Sequence, residues 1–320
     1  MSMYRNEPYG SNAYYYAAPV RQSYPISVSP YAYTPAISSD MRFEHFYPPY
    51  AQPAWSHHAN APWVHGNLED TREKQQPLTF VLIHGAWADA SFWNGTAAEL
   101  RRKGHTVYAP EYPGHGSDPN KNVTHAMLTK SIADFIVTNH LKNVVLVGHS
   151  FGGSLVQTVA QQIPDRIKRM VFFDAFVLKD GQSVADELPP STLEAFNQLR
   201  KSSKDDTIML PFPLFRETFV NLASLELAQQ IHNAISPEPA GPLYEKLDLK
   251  KFYSLSTPRS YLFLTEDNAL PQGSDLYGWF PHMANRLGLF RLIKGQGDHM
   301  TTAKTEPRML AQKIYEAGRD

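Results

Sequence analysis

Val144-Val145-Leu146-Val147-Gly148-His149-Ser150-Phe151-Gly152-Gly153 is the stretch that decides the fold. Four consecutive aliphatic residues predict a buried strand, and Gly153-Ser154-Leu155-Val156-Gln157-Thr158-Val159-Ala160 continues as a helix. Between the two lies Gly-x-Ser-x-Gly at 148–152. A serine hydroxyl is a weak nucleophile until its oxygen stands clear of the backbone and a base is at hand. A sharp strand-to-helix turn lifts the oxygen, and it crowds the backbone so closely that the flanking positions need glycine. The following helix points free N–H groups at negative charge that develops near the serine. Ser150 is therefore the candidate nucleophile. The same five residues also fit an ordinary glycine-rich turn, so the reading needs a base and an acid elsewhere in the chain.

Outward from this turn the texture is that of alternating strands and helices. Thr79-Phe80-Val81-Leu82-Ile83 predicts a buried strand, and 91–103 a helix closed by Gly104. A strand over 106–109 ends at Pro110, and a helix follows over about 124–140. The strand 143–147 and its helix, to about Gln162, precede a strand at 169–173. Two more strands are expected at 259–265 and 289–293, and a closing helix at 306–317. Between about 176 and 256 the strand rhythm is lost. Helical stretches at 191–200 and 216–233 alternate there with prolines. Such an insertion would sit over the strand ends, where open α/β sheets bind ligands.

A serine nucleophile needs an imidazole, and the imidazole needs an orienting carboxylate. His299, in Gly295-Gln296-Gly297-Asp298-His299-Met300, follows the last expected strand. A glycine-rich loop there can carry its side chain back across the sheet edge. Asp267 directly follows the strand 259–265 and gives the order Ser150, Asp267, His299, the order this kind of turn predicts. Asp174, closing the 169–173 strand, is the alternative acid. Glu266 is expected to point elsewhere, and Asp298 is too close to His299 in sequence for triad geometry. Two backbone N–H groups should hold the oxyanion. One is expected from Phe151, the residue after the serine, and one from Ala86 in His84-Gly85-Ala86-Trp87, where Gly85 allows a tight turn.

These residues resemble the α/β-hydrolase superfamily, and more narrowly its branch of plant methylesterases, plant hydroxynitrile lyases and small bacterial carboxylesterases. The resemblance rests on 80–87, on Leu100 to His105, on 144–153, on Thr265-Glu266-Asp267 and on 294–300. It covers about 78–320 apart from the middle of the insertion. It implies a mostly parallel sheet flanked by helices with a helical cap, a Ser150–His299–Asp267 triad, an oxyanion hole from Ala86 and Phe151, and no cofactor or metal. Lyases of this branch often carry threonine after the first strand and lysine after the histidine. Gly85 and Met300 stand there and are the esterase-like choices. Ser150 also excludes the aspartate nucleophile of haloalkane dehalogenases and epoxide hydrolases.

The remaining composition sets limits. With 320 residues and 42% hydrophobic residues the chain can fill a large α/β core. A formal net charge of −1 offers no basic excess for nucleic acid. No cysteine is present, which excludes disulfides and thiolate metal sites. No run of apolar residues is long enough for a membrane span, and the first residues lack the apolar core of a secretory signal, so a cytoplasmic location is expected. Residues 1–76 differ from the rest: Tyr, Pro, Ser and Ala dominate, as in Tyr14-Tyr15-Tyr16 and Tyr47-Pro48-Pro49-Tyr50. They predict a disordered or loosely docked extension with an unknown partner, ahead of a hydrolase domain at 77–320. His57, His58 and His65 lack a regular metal-ligand spacing.

The expectation is thus a serine carboxylesterase with a small-molecule ester substrate. Met209-Leu210-Pro211-Phe212-Pro213-Leu214-Phe215 in the insertion points to a hydrophobic or bulky aromatic ester, such as a pyrethroid, or simply packs the cap. The alternatives are a hydroxynitrile lyase-type enzyme on the same scaffold, or a surface- or coat-associated binding protein attached through the arm, with a vestigial hydrolase domain.

Overall fold

The computed structural model describes residues 76–273 and 276–320. The expected extension falls outside the described residues up to residue 75, and so do His57, His58 and His65.

Strand β1 (Thr79–Ile83) opens the fold. A single 3-10 turn, Ala90–Trp93, is capped by the Asp89 carboxylate, which accepts the Ser91 N–H at 2.8 Å, and leads into α1 (Asn94–Arg102). Gly104, at φ 89°, ends that helix and turns the chain into β2 (Thr106–Tyr108). Helix α2 (His125–Thr138) starts where the Thr124 hydroxyl accepts the Met127 N–H. Strand β3 (Val144–His149) is buried along its whole length and runs into α3 (Gly152–Gln162). Strand β4 (Ile167–Phe173) follows.

Beyond β4 the chain leaves the sheet for more than eighty residues. This segment contains α4 (Pro190–Ser202), β5 (Thr207–Ile208), α5 (Phe212–Phe219), α6 (Leu225–Ala234), β6 (Glu238–Pro239), α7 (Ala240–Tyr244) and α8 (Lys250–Ser254). The single helix expected over 216–233 is two helices. Between them Leu222 N–H bonds to the Asp298 carboxylate at 2.9 Å, and Met300 N–H bonds to Phe219 O at 2.9 Å. Those bonds to the His299 loop compete with helix continuation, and the Ser224 hydroxyl restarts the helix by accepting Leu227 N–H. The β5–β6 ladder, antiparallel with Ile208 opposite Glu238, has too few residues for alternation to reveal it.

The chain returns through β7 (Arg259–Leu264), β8 (Arg291–Gly295), α9 (Thr301–Thr305) and α10 (Pro307–Gly318). Strand β8 starts two residues later than the sequence suggests, because Gly288 turns at φ 70° and Leu289 stands 97% exposed. The sheet order is β2-β1-β3-β4-β7-β8, and every neighbouring pair is parallel. Parallel strands covered by helices on both faces carry continuous apolar runs. Phe80 to Ile83, Val144 to Val147 and Met170 to Phe173 are all fully buried. Burying each such side chain contributes roughly 1.5–3 kcal/mol.

A candidate active site above the sheet

Ser150 sits at φ 56°, the left-handed region that a serine enters only when its surroundings compel it. The compulsion comes from both sides of the turn. Its N–H bonds to Phe173 O, and its own carbonyl accepts from Gly153 and Phe176. The backbone is packed so closely that a Cβ on Gly148 would lie 2.4 Å from Gly152 O, and one on Gly153 would lie 2.3 Å from Phe176 O. Gly85 answers a similar demand. It does not stand at positive φ; its role is close approach, because a Cβ there would meet the Ser150 Cβ at 2.7 Å.

His299 Nδ1 and Asp267 Oδ2 are 2.6 Å apart, and both side chains are buried. The other carboxylate oxygen of Asp267 accepts Ala269 N–H at 2.8 Å. With Nδ1–H donating to the carboxylate, Nε2 is left with its lone pair, as a general base requires. The imidazole is held by rings: Trp279 stacks on it at 5.5 Å and 7°, Phe219 meets it edge-on at 5.3 Å, and His149 lies 4.4 Å away. Trp279 and Phe219 also line a cavity whose floor includes Ser150. The structure thus brings Ser150 and His299 against the same two aromatic walls.

Asp174 occupies a different place. Its carboxyl accepts Leu264 N–H through both oxygens, at 3.1 and 3.2 Å. Complete burial pushes its pKa well above the usual carboxylate range, and the neighbouring Asp267 pushes it in the same direction. Among the described residues it has no bond to an imidazole. Asp298 caps α9 through Thr301 and Thr302, and Glu266 accepts Gly297 N–H at 2.7 Å.

Ala86 and Phe151 both line the cavity. Among the described residues, neither backbone N–H has a protein acceptor. Two unpaired amides beside a strained serine form a ready acceptor site for negative charge. The cavity encloses about 630 Å³ of space, mouth included. Trp87, Phe176, Phe196, Leu210 and Leu270 contribute to its walls, and among the described residues no acidic, basic or imidazole side chain does. No group of three or more metal-ligating side chains stands together among the described residues. No helix among them is long and apolar enough to cross a membrane.

Trp87 has a part that the sequence did not signal. It sits at φ 62°, and three bonds tie it to the insertion. Its N–H donates to Glu238 Oε2 at 2.7 Å, its indole N–H donates to Ile208 O at 2.8 Å, and its carbonyl accepts Ser236 N–H at 3.1 Å. A glutamate between two prolines, Pro237-Glu238-Pro239, reads as a surface turn; its complete burial becomes visible only once β5 and β6 pair.

The Alpha/beta hydrolase family matches residues 80–313, and the chain belongs to that family. It is similar to an extracellular α/β-hydrolase from a Paenibacillus species, whose structure is described as sharing structural and functional homology with tobacco salicylic acid binding protein 2. The two are 63% identical, with 76% of this chain and 100% of that one covered, at a TM-score of 0.75. A carbendazim hydrolyzing esterase of Nocardioides sp. (strain SG-4G) is 39% identical over 113 residues, which is 34% of this chain and 47% of that protein. Putative methylesterase 15, chloroplastic, of Arabidopsis thaliana is 27% identical over 210 residues, 61% of this chain and 47% of that protein. The chain spans about half the length of the curated relatives it matches. The Paenibacillus relative is extracellular, so the comparisons lend no support to the cytoplasmic location expected from the sequence.

Proposed function

We propose that this protein is a carboxylic ester hydrolase that works through Ser150, His299 and Asp267. One observation carries the reading: a serine held in a strained conformation on the floor of an apolar cavity, beside two amides that have no acceptor among the described residues. In this mechanism the Ser150 Oγ attacks the ester carbonyl while His299 Nε2 takes its proton. Asp267 fixes the imidazole tautomer and stabilises the imidazolium. The Ala86 and Phe151 amides hold the tetrahedral oxyanion. Collapse breaks the bond to the alkoxy oxygen, which leaves as the alcohol with the proton from His299. Water then attacks the acyl-enzyme by the same route and releases the acid and the free serine.

The cavity supports an uncharged ester with a bulky apolar or aromatic group. Its walls are aromatic and aliphatic, with Thr192 and Thr218 as polar exceptions. Esterases, methylesterases and a pyrethroid hydrolase from Sphingobium faniae stand among the similar proteins and support the same reaction class. A panel of 4-nitrophenyl esters, with aromatic and pyrethroid-type esters beside it, tests the reading. Turnover that vanishes in Ser150→Ala is expected. No hydrolysis of any member, or hydrolysis that persists in Ser150→Ala, would overturn it.

A further inference from the structure

We propose that Glu238 and His115 form a buried positioning pair that clamps the Ala86–Trp87 loop, so that the Ala86 amide faces the reacting carbonyl. The inference rests on the ester-hydrolase reading above. Ala86 cannot aim its own N–H; its direction follows from the peptide units on either side. On one side Gly85 lies against Ser150. On the other, Trp87 takes a left-handed conformation that costs free energy unless bonds impose it. The three bonds to Glu238, Ile208 and Ser236 impose it, and all three come from the insertion. The Trp87 N–H is consumed by Glu238, whereas the Ala86 N–H, which lines the cavity, has no acceptor among the described residues.

The chemistry of Glu238 explains why a charged group does this. Its side chain and that of His115 are both fully buried. His115 Nε2 lies 2.9 Å from Glu238 Oε2, and Nδ1 lies 3.1 Å from Pro113 O. Both ring nitrogens face oxygen atoms, an arrangement that an imidazolium beside a carboxylate satisfies. Burial, the largest single influence, works against the charged imidazole, but the attraction and hydrogen bond of Glu238, the bond to Pro113 O and the nearby Glu111 together raise the His115 pKa. The other groups around the pair include Tyr112, whose ring lies 4.5 Å from His115, His84, at 5.2 Å, and Asp118, whose N–H bonds His115 O and whose carboxylate is attracted to the His115 ring. Tyr112 stays a neutral phenol, since burial, Glu238 and Glu111 all raise it. Among the described residues Glu238 Oε1 has no partner, and Oε2 takes the bonds from Trp87 and His115. Pro237 and Pro239 fix the backbone on either side, which lowers the entropy lost in holding the side chain there.

Loss of the His115 proton would leave a carboxylate facing an imidazole lone pair and would loosen the clamp. The pair therefore sets an alkaline limit on turnover that is separate from the triad. The conservative variant Glu238→Gln escapes that limit. Trp87 N–H and His115 Nε2 both meet the same oxygen, Oε2, so an amide oxygen in that place keeps the Trp87 bond, and the charge that raises His115 is gone.

The experiment is steady-state hydrolysis of 4-nitrophenyl butyrate by the full chain, from neutral to alkaline pH, with thermal midpoints and inhibition by a boronic acid. Wild-type protein must hydrolyse the ester; if it does not, the esterase reading fails before the pair is at issue. Glu238→Ala should lower kcat by about 10²-fold, the cost of misplacing a catalytic group by an ångström or so. KM should stay within about threefold, since ground-state contacts are kept, and boronate affinity should fall with kcat. Glu238→Gln should recover most of kcat and flatten the alkaline limb. A folded Glu238→Ala with wild-type kcat, or with its loss confined to KM, would overturn the proposal. So would a Glu238→Gln profile with the wild-type alkaline limb, which also decides the matter if the alanine variant does not fold.

Discussion

Gly85 lies against Ser150 so tightly that a methyl group on its α-carbon would come within 2.7 Å of the serine Cβ. The same added carbon would lie 3.1 Å from His149 O and from the His149 ring. Nothing there can yield, because Ser150 and His149 belong to the locked turn between β3 and α3. Gly85→Ala should therefore displace either the serine or the oxyanion loop. Overpacking of this kind costs about 1–3 kcal/mol. The expected kinetic loss is about 10²-fold in kcat, with a melting point lower by several degrees. Full activity in Gly85→Ala would show that the loop and the turn are less tightly fitted than the distances imply.

Ser150→Ala should remove nearly all ester turnover and leave the fold intact. Residues that act as a unit typically cost about 10⁴-fold or more when one is lost. Circular dichroism and the thermal midpoint should match wild type, since alanine tolerates the left-handed conformation no worse than serine.

The two buried aspartates should separate cleanly. Asp267→Asn replaces the acceptor of the His299 proton and favours the wrong tautomer, so a loss of about 10⁴-fold in kcat is expected. Asp174 is held towards its neutral form and bonds Leu264 N–H, which an asparagine oxygen can also accept. Asp174→Asn should retain most activity. The reverse order, measured as kcat/KM on one ester, would move the acid to Asp174.

Acid should destabilise the fold through His125. Its Nε2 is 2.9 Å from Ser154 Oγ, and burial holds its pKa down to about 3. The unfolded chain takes up a proton near the ordinary histidine value and the folded one does not. The stabilisation is therefore complete above that value and is lost as pH falls towards 3. Between neutrality and pH 5 the loss from this group is about 2 kcal/mol. His149, also held low by burial, adds in the same direction. Urea unfolding at both pH values checks this, and His125→Gln should flatten the slope.

A chain beginning near residue 71 should fold and hydrolyse small esters as the full chain does. The sheet order is complete within Thr79–Gly295, and the described core is buried by residues from Leu78 onward. A lower melting point or aggregation of the shortened chain would show that the first residues cover part of that core.

The fold was legible because its deciding element is local. A four-residue aliphatic run, a serine between glycines and a helix occupy one continuous stretch, and each acts through its immediate neighbours. Asp267 and His299 could be singled out as candidates because each lies a few residues past the end of a strand, so position in sequence stood for position in space. The break between α5 and α6 was not legible, because Leu222 bonds Asp298, and Phe219 bonds Met300, across about eighty residues. Glu238 was hidden for a related reason. Its partners, Trp87 and His115, lie more than a hundred residues away, and nothing in Pro-Glu-Pro signals burial. Long-range polar pairs leave no periodicity to read.

Ile208 on β5, Glu238 on β6 and Ser236 just ahead of β6 reach one residue, Trp87, and two helices separate the two short strands. Chimaeras that exchange the segment between β4 and β7 with that of a relative must preserve this three-point attachment. Away from Phe219 and Leu222, which hold His299 and its loop, the helices α5 and α6 can change composition, whereas a single-residue shift in the β5–β6 register would carry Glu238 away from Trp87. Libraries that vary cavity shape should thus cross over inside 209–235, where recombination leaves the attachment intact.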